Sequence, residues 1–187
     1  MRVFLDVDGV LADFTMGAHR KMGIDLDYNN WPYPKGPEGW DWQHCLGMTF
    51  EELSEICDFE FWKGLPWTSD GRDILRVILK FVEQGNITLL TTPMPHVMSA
   101  SGKMAWIEKN LPAYKWHTLI SSGKKDILAG VPDSILVDDS QNNVDAWRGV
   151  GGKAVLVPRR WNNRWPEVNT ASISVELQLE ALCRHHV

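Results

Sequence analysis

Four short apolar runs punctuate the chain, and each ends in polar residues. Val3-Phe4-Leu5 stops at Asp6, and Ile87-Thr88-Leu89-Leu90 stops at Thr91-Thr92-Pro93. Ile135-Leu136-Val137 stops at Asp138-Asp139, and Ala154-Val155-Leu156-Val157 stops at Pro158. Continuous runs of this length, rich in β-branched residues, suit parallel strands covered on both faces. Helical periodicity lies between them. Leu75, Ile78, Leu79 and Val82 predict a helix over 72–84, with Gly85 as its stop signal. Met104, Ile107 and Leu111 mark one face of a helix over 98–111, and 142–148 predicts a shorter one before Gly149. This alternation points to an α/β fold, a Rossmann-like doubly wound parallel sheet. In such sheets ligands sit beyond the carboxyl ends of the strands, so the polar strand ends should gather on one edge.

The stretch 15–67 breaks the alternation. Its middle is rich in Pro, Gly and Trp and reads as loop. Thr49 and Glu52 form a capping-box pattern that starts a short helix running to about residue 58. The expected organisation is a core over 1–14 and 68–165, a small helical cap inserted over 15–67 after the first strand, and a tail over 166–187. The tail carries a final helix over 174–185. His185 and His186 fall at its frayed end. Asp13 is expected to cap the first helix of the insertion.

Composition narrows the field. With 187 residues and 44% hydrophobic content, the chain can bury a real core. A net charge of −5 without a basic stripe argues against duplex nucleic acid as a partner. A small phosphorylated ligand needs only a local cluster and fits. Three cysteines without C-x-x-C spacing argue against a disulfide scaffold or zinc knuckle and suit a reducing compartment. No run approaches the ~20 apolar residues of a membrane span, and Asp6 interrupts any leader-like stretch. A cytoplasmic protein is expected.

Asp6 and Asp8 lie at positions i and i+2, so a straight strand would aim both carboxylates at one face. Buried together without compensation they would be very costly. They are tolerable where the strand ends and a hard divalent cation sits between them, and Mg²⁺ is the usual companion of phosphate. Asp138 and Asp139 supply further oxygens. Thr91 offers a hydroxyl at the second strand end, with Thr92 as its rival, and Lys124-Lys125 offers fixed positive charge. One carboxylate can then attack phosphorus. The ten tryptophans cluster toward the insertion. There they serve either as a small core or, for one or two of Trp40, Trp42, Phe61 and Trp62, as stacking surfaces for a base.

D-V-D-G-V at 6–10, the strand ending in Thr91, the upstream lysine and Val137-Asp138-Asp139 stand in the order of the four motifs of the haloacid dehalogenase-like phosphohydrolases. More narrowly, D-V-D-G-V-L-A-D-F, T-T-P and K-M-A-W-I-E-K resemble the 5'(3')-deoxyribonucleotidases. The resemblance covers residue 1 to about 160. It implies Asp6 as nucleophile, Asp8 as general acid and then base, and Thr91 as a phosphate ligand. Lys125, preferred over Lys124, would orient Asp6. Mg²⁺ would be held by Asp6, Asp8, Asp138 and Asp139, with Asp8 contributing its backbone carbonyl. Phe14, inside the D-G-V-L-A-D-F match, would contact substrate; Thr92, Trp40 and Trp62 are expected beside it from their position and character rather than from the resemblance. The implied activity is Mg²⁺-dependent hydrolysis of nucleoside monophosphates through an aspartyl-phosphate. The alternatives are another small phosphate ester, a nucleic-acid 3'-end, or a non-catalytic module that binds a phosphorylated ligand.

Overall fold

The computed structural model describes residues 1–184. Within them five strands form one parallel sheet: β1 (Arg2–Leu5), β2 (Ile87–Thr91), β3 (Thr118–Ile120), β4 (Ser134–Asp138) and β5 (Lys153–Leu156). The order is β3-β2-β1-β4-β5, so β1 is central. Leu5 stands opposite Leu89 on one side and Val137 on the other. The Asp6 N–H donates to the Val137 carbonyl at 2.9 Å, carrying the β1–β4 pairing one residue past β1.

Period-two alternation divides each strand between two cores. Phe4, Leu90, Leu136, Ala154 and Leu156 face Val144 and Trp147 of α6 (Gln141–Gly149). Val3, Leu5, Ile87, Leu89, Ile135, Val137 and Val155 face the opposite layer. That layer contains Ile74 and Ile78 of α4 (Gly71–Ile78), Trp106 and Ile107 of α5 (Ser99–Asn110), and Val175 and Leu179 of α7 (Ala171–Arg184). Because both faces are covered, the strands read in the sequence as unbroken apolar runs rather than as alternating ones.

Several elements differ from the sequence reading. Strand β3 was not expected: it is three residues long, lies at the sheet edge and is only partly buried, so it carries no apolar run. Regular helix α4 ends at Ile78 rather than near 84. Beyond it Lys80 and Phe81 donate to Val77 and Ile78, the tighter i→i−3 pattern. The buried face of α5 is Ser99, Gly102, Lys103, Trp106 and Ile107, rotated from the Met104–Ile107–Leu111 stripe. Helix α7 begins at Ala171, three residues earlier than expected; His185 and His186 lie outside the described residues.

Between β1 and α4 come α1 (Phe14–Lys21), α2 (Phe50–Ile56), α3 (Phe59–Lys63) and three short 3-10 turns. Asp13 caps α1 by accepting from Met16 N at 2.9 Å, and Tyr28 Oη donates to the same oxygen at 2.6 Å. Thr49 and Glu52 make both bonds of a capping box on α2. The helix does not run on to Asp58. Instead Asp58 caps a separate helix, α3, by accepting from Phe61 N at 2.8 Å. Helix α3 lies directly on α5, with Gly102 at the crossing. A methyl group there would sit 2.6 Å from Trp62 Cβ and 3.0 Å from the Phe59 carbonyl.

This contact generates a stability prediction. Gly102→Ala should lower the urea midpoint without changing the m-value, costing ~1–3 kcal/mol through overpacking. An unchanged midpoint would show that the crossing is looser than described.

Candidate active site

The ends of β1, β2 and β4 bring Asp6, Thr91 and Asp138 to one edge of the sheet, and the turns after β1 and β4 add Asp8 and Asp139. Asp6, Asp138, Asp139 and Lys125 are all nearly inaccessible. Lys125 Nζ lies 2.8 Å from Asp6 Oδ1 and 2.7 Å from Asp138 Oδ2, bridging two strands. Lys124, its sequence rival, is exposed. Asp138 is further fixed by Ser140 N–H at 2.8 Å and by Asn143 Nδ2 at 3.1 Å. Asp6, Asp138 and Asp139 each offer an oxygen within 4.8 Å of the others.

Asp8 stands apart from that trio. Its Oδ2 pairs with Lys103 Nζ and accepts from Thr91 Oγ at 2.9 Å. Its Oδ1 is buried and has no partner among the described residues. Thr91 is fully buried, while Thr92 is exposed and lines the cavity above. Four carboxyl groups thus face two ammonium groups, so full ionisation would leave two negative charges in need of a further cation. A divalent cation with oxygen ligands fits this deficit and this donor set.

The turn after Asp8 is shaped by Gly9, whose φ is +73°. A side chain there would be strained and would also overlap the Asp139 carboxylate. Arg159 braces the same turn. Its buried guanidinium donates to the Gly9 carbonyl and makes two 2.9 Å contacts with Asp70. The neighbouring residues hold Asp139: Trp161 Nε1 donates to its Oδ2 at 2.7 Å, and Asn162 Nδ2 donates to its backbone carbonyl at 2.8 Å.

Burial pushes the Asp6 carboxyl well above its ordinary range. Lys125 opposes this, and the Asp138, Asp139 and Asp8 charges reinforce it. Burial and the Asp138 charge push Asp139 up to about 7, against the Trp161 hydrogen bond. Burial alone would lower Lys125, but Asp138 and Asp6 hold it above the usual lysine range.

A cavity of about 260 Å³ opens over these groups. Phe14, Trp40, Trp42, Phe50 and Trp62 supply apolar wall; Thr92, Asp41 and Gln43 supply polar wall. Phe14 and Trp62 stack with centroids 5.4 Å apart. Trp62 and Trp42 are buried, whereas Trp40 is 42% exposed. Phe61 packs edge-on against both Phe14 and Trp62 and does not line the cavity. The arrangement suits a ligand with an anionic end at the carboxylate–lysine cluster and a flat apolar end.

Three residues of this site were not singled out from the sequence. Lys103 sits inside the K-M-A-W-I-E-K segment, and its signal was a lysine three residues before Trp106, on the face that α5 buries. Trp161 and Asn162 follow β5 in a segment that reads as loop.

The family model described as "5' nucleotidase, deoxy (Pyrimidine), cytosolic type C protein" matches residues 1–173. The chain belongs to this family. Its members are 5'-nucleotidases of the haloacid dehalogenase-like superfamily, hydrolases that act on nucleoside monophosphates. Among solved structures, a haloacid dehalogenase-like hydrolase, SP0104 from Streptococcus pneumoniae, is 14% identical with a TM-score of 0.50. That match covers 99% of this chain and 98% of the other. L-2-haloacid dehalogenase from Xanthobacter autotrophicus is 13% identical with a TM-score of 0.47, covering 97% and 87%. At such identity the first likeness speaks for the fold alone. No curated protein matches the chain. Among the described residues no helix is long and apolar enough to cross a membrane.

The raised Asp139 pKa sets a pH test. Its value moves from 3.8 to about 7 on folding, so the fold binds this proton more tightly than the unfolded chain does. The associated stability is complete below 3.8 and is lost as pH rises through about 7. A divalent cation needs the ionised form and works in the opposite sense. In EDTA the melting temperature should carry a component that falls between about pH 4 and pH 7 and levels off above, and the rise on adding Mg²⁺ should be larger at pH 8 than at pH 5. An equal rise at both values would contradict this assignment.

Proposed function

We propose that this chain hydrolyses nucleoside monophosphates, deoxyribonucleotides above all, by transferring the phosphoryl group to Asp6 and then to water. One observation carries the reading. A carboxylate in contact with a buried lysine and a second carboxylate hydrogen-bonded to a strand-end threonine line one small cavity walled by aromatic rings. A module that only held phosphate would gain nothing from two carboxylates facing an anion.

Asp6 attacks phosphorus with one carboxylate oxygen while Lys125 holds it in place. As the phosphorus–ester oxygen bond breaks, Asp8 gives its proton to the leaving alcohol. Asp8 then takes a proton from water, the water oxygen attacks phosphorus, and the Asp6 carboxylate is released together with phosphate. Asp6, Asp138 and Asp139 would hold Mg²⁺, which when bound supplies positive charge to the phosphate oxygens. Asp8 would add its backbone carbonyl, as the family resemblance implies, leaving its side chain for proton transfer. The sugar and base would lie against Phe14, Trp40 and Trp62, with Thr92 near the phosphate. The enclosing cap limits access to small esters and reduces competing water.

Phosphate release from a panel of 5'- and 3'-nucleoside monophosphates tests the proposal. Release should require Mg²⁺, stop with EDTA, and fall at least ~10³-fold in Asp6→Asn, with the fold intact by circular dichroism. Wild-type turnover in that variant would overturn the role of Asp6.

A further inference from the structure

Lys103 lies outside the four-motif set, yet its side chain is 3% exposed at the floor of the cavity. Three contacts surround its ammonium group. It pairs with Asp8 Oδ2, donates to Thr91 Oγ at 3.1 Å, and sits 4.3 Å from the centre of the Trp62 ring. Accepting from Lys103 leaves the Thr91 hydroxyl free to donate to Asp8 Oδ2, which lies 2.9 Å away. Both donors therefore bind one oxygen of Asp8. The other, Oδ1, is buried without a partner among the described residues.

The two oxygens of Asp8 are thereby made unequal. We infer that Lys103 is a positioning residue for proton transfer: by anchoring Oδ2 together with Thr91, it presents Oδ1 to the ester oxygen of the substrate. The inference rests on the hydrolase reading above. In the first step the Asp6–phosphorus bond forms, the phosphorus–ester oxygen bond breaks, and the proton on Oδ1 moves to the departing oxygen. Lys103 exchanges no proton with substrate; it fixes the carboxyl rotamer that does. Trp62 and the tight α3–α5 contact in turn fix Lys103, since any sideways movement of its ammonium group leaves the ring face. A carboxylate with a free rotamer would spend part of its time turned away from the ester oxygen, and catalysis by oriented groups is sensitive to such misplacement.

The test compares two substrates in the Mg²⁺-loaded enzyme: the best nucleoside monophosphate, whose alkoxide must be protonated, and p-nitrophenyl phosphate, whose leaving group needs no proton. The readout is kcat/KM, which reports the phosphoryl transfer to Asp6. Lys103→Met should lose ~10²-fold or more on the nucleotide, within the range of general acid catalysis, and only a few-fold on the aryl ester. The inhibition constant of inorganic phosphate should stay within about threefold of wild type. Lys103→Arg should recover part of the nucleotide rate. In an Asp8→Asn background, Lys103→Met should add little further loss on the nucleotide.

Equal losses on both substrates would overturn the inference in favour of a structural role. So would a weakened inhibition constant with an unchanged substrate ratio, which would make Lys103 a phosphate ligand. Where Lys103→Met does not fold, the ratio is read from Lys103→Arg, in which the displaced charge should still penalise the nucleotide more than the aryl ester. A wild-type enzyme inactive on both esters would instead reject the hydrolase reading, and this inference with it.

Discussion

One buried ammonium group makes this site possible. Lys125 lies between the ends of β1 and β4, within 2.8 Å of Asp6 and 2.7 Å of Asp138, with all three side chains nearly inaccessible. Parallel pairing of those strands forces the two carboxylates together, and without the lysine their repulsion would fall on the sheet itself. Removing one partner from a buried ion pair typically costs ~3–5 kcal/mol. Two ammonium groups do not suffice for the ionised cluster: Asp139 joins it, and burial beside Asp138 makes it keep its proton up to about pH 7. The fold therefore carries an electrostatic deficit at the place where a cation and an anionic substrate would meet.

The remaining structure shapes that deficit. Gly9 lets the first turn pass against Asp139, and Arg159 ties this turn to Asp70 at the start of α4. Asn162, fully buried, donates to the carbonyls of both Asp139 and Val157, joining the exits of β4 and β5. Trp161 alongside it holds the Asp139 carboxylate. Above, α3 locks onto α5 at Gly102 and sets Trp62 over Lys103 and Phe14. The sheet layers and the helices between β1 and α4 thus meet at side chains that also line the cavity.

The sheet was legible because both of its faces are covered, which turns the inner strands into continuous apolar runs. Edge strand β3 was not, since three half-exposed residues leave no such trace. The carboxylates were legible because charge at the end of a buried strand has few structural uses. Lys103 was harder to see. A lysine on a helix normally marks the solvent face, and only its phase relative to Trp106 and Ile107 placed it inside. Trp161 and Asn162 act through tertiary hydrogen bonds from an irregular segment, and local pattern carries no signal for those. Between β1 and α4 the aromatic content did not disclose the division of labour: Trp31 buries itself against Tyr33, while Phe14, Trp42 and Trp62 line the cavity.

The central claim is that a single carboxylate, Asp6, becomes covalently bonded to phosphorus during turnover. Borohydride reduces an acyl phosphate to an alcohol and leaves free carboxylates untouched. Quenching the enzyme during steady-state hydrolysis with borohydride and sequencing it by mass spectrometry should reveal homoserine at position 6, and only when substrate is present. Homoserine at another aspartate, or none at any position while phosphate is being released, would contradict the account.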